Sequence, residues 1–90
     1  MLQITMTKQY FVKKTGTKTA YQLTKTETET ITETQYNNFI NDASFFRRLG
    51  GSCTQQRCYT EAGYKVYKDI LTSPDKQTKT VTKFNFKYQF

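Results

Sequence analysis

The chain has no histidine and no tryptophan, one proline, four glycines and two cysteines. The missing histidine excludes His-dependent catalytic triads and the common His-containing metal sites. Cys53 and Cys58 alone do not make a zinc site, so no metal and no other cofactor is expected. Acids are scarce as well. Seven carboxylates are spread along the chain, and Glu27, Glu29 and Glu33 lie in a stretch that reads as exposed. Neither of the common glycine-rich phosphate loops occurs, and Gly50-Gly51 is only a loop signal. Cys58 would need a general base to act as a nucleophile, and only Lys65, its expected cross-strand neighbour, stands near to activate it. These gaps exclude the usual enzyme chemistries and point to a non-enzymatic protein.

Long apolar runs are also missing. Nothing approaches the roughly 18–20 apolar residues of a membrane span, and the first residues do not form a secretion signal. The expectation is a soluble, cytoplasmic protein without membrane contact. Five residues apart on a strand, Cys53 and Cys58 point to opposite faces and are expected to stay reduced. The low glycine and proline content argues against a disordered chain.

What is present is aromatic, rich in threonine and basic. Ninety residues suit a single domain spanning 1–90. Seven tyrosines and seven phenylalanines supply its core, and seventeen threonines suit a pleated, half-exposed sheet surface. The formal net charge is +7. Residues 1–26 hold five lysines and no acid, residues 27–42 hold four acids and no base, and residues 43–90 carry nine bases against three acids. Such a balance attracts polyanions and confers solubility.

Residues 81–90 alternate polar and apolar side chains with period two, the pattern of a half-buried strand. Residues 2–14 and 19–26 predict a hairpin about Gly16. Leu2, Ile4, Met6, Tyr10 and Val12 share one face, and a two- or four-residue turn puts Tyr21 and Leu23 on the same side. Thr5, Thr7, Gln9, Gln22, Thr24 and Thr26 then form a polar surface opposite. Threonine at every second position from 24 to 34 reads as a strand edge followed by a polar connection.

Thr32-Glu33-Thr34-Gln35 fits a capping box, with Ile31 and Tyr36 at the positions of a hydrophobic staple. Tyr36, Phe39, Ile40 and Ala43 follow at helical spacing. The helix is expected to end near residues 41–43, with a short turn over residues 44–49 before the glycines. Three strands are expected at about 52–60, 64–72 and 78–90. A three- or five-residue loop around Pro74-Asp75-Lys76 would put Tyr64, Val66 and Ile70 on the face of Phe84 and Phe86. The order is ββαβββ. The fold class is α+β, an antiparallel β-sheet of about five strands with one helix packed on one face. The strand order is left open by the sequence, with the C-terminal strand a candidate for a sheet edge.

This register builds a surface. Opposite the core, the last two strands present Lys65, Tyr67, Lys79, Lys83, Asn85 and Lys87. Cations that track a phosphate backbone, with a ring to stack on bases, are the parts of a nucleic-acid platform. Arg47 and Arg48 form a second basic element, because guanidinium binds phosphate bidentately. The row of Phe84, Phe86, Tyr88 and Phe90 belongs to the core. Two functions follow from different classes. One is a protein-interaction module, a homodimer among its forms, suggested by abundant tyrosine and an open strand edge. The other is a nucleic-acid-binding module using the lysine and tyrosine face. The short length, the threonine and tyrosine content and the missing catalytic residues resemble small accessory proteins of tailed bacteriophages, which act by binding a partner. That resemblance carries over no individual residue.

Overall fold

The structure, a computed structural model, describes residues 2–16 and 20–88. In chain order it contains β1 (Leu2–Lys13), β2 (Tyr21–Ile31), α1 (Glu33–Phe45), a short 3-10 turn (Phe46–Leu49), β3 (Ser52–Thr60), β4 (Gly63–Thr72) and β5 (Thr78–Tyr88). The strands form one antiparallel sheet in the order β2-β1-β5-β4-β3. This is the expected α+β arrangement of five strands and one helix. No helix among the described residues is long and apolar enough to cross a membrane.

The capping box forms as its residues dictate. The Gln35 N–H donates to Thr32 Oγ1 at 3.1 Å, and the Thr32 N–H donates to Gln35 Oε1 at 2.8 Å. The helix runs two residues past the expected end before the 3-10 turn and Gly50, whose φ of 90° suits glycine. Its apolar stripe packs onto Ile4, Met6, Ile31, Val66, Phe84 and Phe86, with Tyr36 at the centre. The Tyr36 ring meets Phe84 and Phe86 edge-on, at 5.0 and 5.2 Å between centroids. Such contacts are worth about 0.5–1.5 kcal/mol beyond burial. Tyr88 remains half-exposed, and Phe90 lies outside the described residues.

The candidate edge position of β5 is corrected: β5 is the central strand. Its alternating rings need cover from the helix and a neighbour on each side. Its pairing is unequal, however. Eleven residue pairs join it to β1, whereas only Lys68–Thr72 of β4 pair with it, opposite Lys79–Lys83. Beyond Lys68 and Lys83 the two strands part. The Tyr36 hydroxyl fills the place of the missing ladder, accepting from the Val66 N–H at 2.8 Å and donating to the Val66 carbonyl at 3.3 Å.

Two bulges reset the expected registers. In the first hairpin Tyr10 pairs with Lys25 and Phe11 with Leu23, so Thr24 is an extra residue, its Oγ1 donating to Tyr10 O at 3.1 Å. The hairpin closes at Lys13 and Tyr21, with the Lys14 N–H on Ala20 O, a longer turn than the two or four residues expected. Thr17 and Lys18 of that turn lie outside the described residues. Tyr21 and Leu23 therefore lie opposite Lys13 and Phe11, on the face away from Ile4 and Met6, and Gln22 lies opposite Val12. The slip gives Leu23 an apolar cross-strand partner in Phe11.

The second bulge is in β4. Gln56 pairs with Lys68 and Arg57 with Val66, leaving Tyr67 as the extra residue. The β4–β5 turn holds four residues, since the Ser73 N–H donates to Thr78 O at 3.0 Å; the expected three- and five-residue loops are both corrected. An Asp75 carboxylate accepting from Ser73 Oγ and the Gln77 N–H fixes this turn. The even turn pairs Ile70 with Val81 on the face away from the helix. Asp69 takes the inward position expected for Ile70, and the bulge then returns Val66 to the core.

Asp69 is fully buried beside Thr82, its cross-strand partner. Its Oδ2 accepts from Gln55 Nε2 at 3.2 Å and lies 4.0 Å from the Cys53 thiol, whereas Oδ1 has no hydrogen-bond partner among the described residues. Burial pushes its pKa up, and the Gln55 bond offsets this only in part. The sign follows from linkage. With a folded pKa above the unfolded one, the contribution of Asp69 to stability is greatest below about pH 3.9 and is lost as pH rises through the folded value. Asp69→Asn should therefore be more stable than the parent at pH 7, with a margin that shrinks toward pH 4. Urea midpoints across that range check this, and an Asn variant less stable at pH 7 would refute it.

Candidate nucleic-acid interface

Among the described residues no helix covers the second face of the sheet. Strand alternation and register define it. From β1 it takes Gln3, Thr5, Thr7, Gln9, Phe11 and Lys13; from β5, Lys79, Val81, Lys83, Asn85 and Lys87. β4 adds Lys68, Ile70 and Thr72, and β2 adds Thr26, Thr28 and Thr30. Val81 and its cross-strand partner Ile70 form a small apolar floor, and Val81 is buried. Phe11 and Leu23 form a second apolar pair near the first hairpin's turn, beside Tyr21, and the other side chains of the face are hydroxyl, amide and ammonium.

The charges are segregated. The open face carries Lys13, Lys68, Lys79, Lys83 and Lys87 and none of the seven carboxylates. Glu27 and Glu29 lie opposite Lys8 and Met6 on the helix side, Glu33 and Asp42 are on α1, Asp75 is in the β4–β5 turn, and Asp69 is buried. Glu61, in the β3–β4 turn, accepts from the Tyr88 N–H at 2.8 Å, at the end of β5 next to Lys87. Cations on the helix side have partners. Lys25 pairs with Glu27 at 2.6 Å, and that hydrogen bond holds the Glu27 carboxyl below its ordinary pKa. Lys8 lies over the Phe39 ring, and the Arg57 guanidinium donates to Gln55 Oε1. On the open face Lys79 lies 5.5 Å from the Tyr21 ring centroid. Lys68 and Lys83 stand directly opposite each other across β4 and β5 with no carboxylate partner among the described residues. Like charges so placed destabilise a sheet.

The β4 bulge produces this arrangement. An unbroken alternation from Val66 would put Lys68 inward and Asp69 on the open face. The extra Tyr67 exchanges them. The face gains a cation and loses an anion, at the cost of burying a carboxylate.

Of the residues singled out from sequence, Lys79, Lys83, Lys87 and Asn85 share the open face, and Tyr67 reaches it by donating from its hydroxyl to Gln56 Oε1 at 3.1 Å. Lys65 does not join them; its ammonium turns toward Glu33 at the start of α1, 3.9 Å away. Arg48 is on the 3-10 turn, its guanidinium 4.9 Å from the Phe45 ring centroid, and the Arg47 side chain lies outside the described residues. Lys13 and Lys68 are additions. Lys13 follows from β1 lying beside β5, and Lys68 from the bulge. Cys53 is buried and Cys58 exposed, both without a disulfide, and no three His, Cys, Asp or Glu among the described residues are placed to hold a metal.

The chain matches no family model, no curated protein and no solved structure. Its function is therefore read from this face.

Proposed function

We propose that the protein binds nucleic acid through the open sheet face, with Lys68, Lys79, Lys83 and Lys87 on the phosphate backbone and Lys13 at the rim, and acts by binding without catalysis. The observation that carries this is the opposed pair of Lys68 and Lys83 on a face cleared of acid. Repulsion held in the free protein is relieved when a polyanion neutralises both. Fluorescence anisotropy with oligonucleotides at about 50 and about 200 mM salt tests it. Counterion release from up to five contacts gives a slope of log K against log salt of about −3.5 for single strands or −4.5 for duplex. Absence of binding at the lower salt would contradict the reading.

A second reading, a protein partner or a second copy added at the open β3 edge, is favoured by Tyr59 and Tyr64. Their rings meet at 5.0 Å and stay 85% and 59% exposed, respectively. Sedimentation of the pure protein checks the second-copy form.

A further inference from the structure

Resting on the nucleic-acid reading, we infer that the ligand is single-stranded, and that Tyr67 stacks on one of its bases. Tyr67 is the extra residue of the β4 bulge, and bulges re-aim side chains. Here the ring reaches the lysine face, tied by its hydroxyl to Gln56 and 38% exposed. It is adjacent in the chain to Lys68, and so to the opposed Lys68 and Lys83. That is also where β4 leaves β5. On the far side of this fork β5 continues with Asn85 and Lys87, both exposed.

The line of lysines along β5 runs from Lys79 to Lys87, about 27 Å at 3.4 Å per residue. A strand following that line brings a base to the ring at the fork, with the Asn85 amide available to its polar edge. A duplex would leave the ring idle, because its base faces are already stacked and only phosphates reach the protein. A single strand offers a π-face at every base, and one such contact changes affinity by about 5- to 150-fold. The tether to Gln56 holds the ring in place before the ligand arrives, which lowers the ordering cost of the contact.

The test uses three probes: an oligo(dT) of about twelve nucleotides, an abasic strand with the same number of phosphates, and a DNA hairpin duplex. Oligo(dT) should bind about tenfold or more tightly than the abasic strand and more tightly than the hairpin. Tyr67→Phe should keep that preference, and Tyr67→Ala should erase it while leaving abasic-strand affinity unchanged. Equal binding of oligo(dT) and the abasic strand by the parent protein, tighter binding of the hairpin, or an undiminished preference in Tyr67→Ala would overturn the stacking role and leave backbone binding standing. Absence of binding to all three would remove both readings.

Discussion

Lys83→Glu should weaken nucleic-acid binding and stabilise the free protein at the same time. In the parent, Lys83 faces Lys68 across β4 and β5. The substitution replaces a like-charge pair with an opposite-charge one, worth about 0.2–1 kcal/mol on a sheet surface. At about 4–8 °C per kcal/mol for a domain of this size, Tm should rise by one to several degrees. Affinity at about 0.1 M salt should fall about tenfold, and the salt slope should become shallower by about 0.7–0.9 for the lost contact. Lys79→Glu is the comparison. Lys79 lies opposite Thr72 and Phe11 and has no lysine across from it. It should lose affinity without gaining stability. A face that is merely solvated would show the stability change in Lys83→Glu with no change in binding.

Tyr36→Phe should cost about 1–3 kcal/mol, the penalty of leaving buried polar groups unpaired. The ring would remain, so the edge-on contacts with Phe84 and Phe86 persist and the change isolates the hydroxyl. That hydroxyl serves both the N–H and the carbonyl of Val66 where β4 has already parted from β5. Without it the Val66 amide faces the gap unpaired. Tm should drop by about 4–24 °C, and hydrogen exchange at the Val66 amide should speed up more than at Ile70, which stays within the ladder. Unchanged Tm and exchange would show that the hydroxyl does not hold the fork. The effect bears on the proposed site, because the fork positions Tyr67.

The helix start is legible because a capping box is local: Thr32, Gln35, Ile31 and Tyr36 carry the whole signal within six residues. The alternation around Phe84 and Phe86 is legible because burial of one sheet face imposes period two. The registers are not. Each bulge inserts an ordinary residue, Thr24 or Tyr67, with no glycine to mark it, and the parity of every residue beyond it reverses. That is why Lys68 and Asp69 exchange faces, and why Ile70 pairs outward with Val81. The place of β5 between β1 and β4 is set by contacts between chain ends, which no local pattern encodes. The lysines of β5 are therefore readable as a row, whereas Lys13 joins them only through the strand order and Lys68 only through the bulge.

The most direct measurement is amide and lysine-ammonium shift mapping by NMR on labelled protein titrated with a short oligonucleotide at low salt. The largest shifts are expected at Lys68, Lys79, Lys83 and Lys87 and their strand neighbours, with residues 35–42 of the helix unmoved. Shifts centred on the helix, on the β3 edge, or nowhere would contradict the open sheet face as the binding surface.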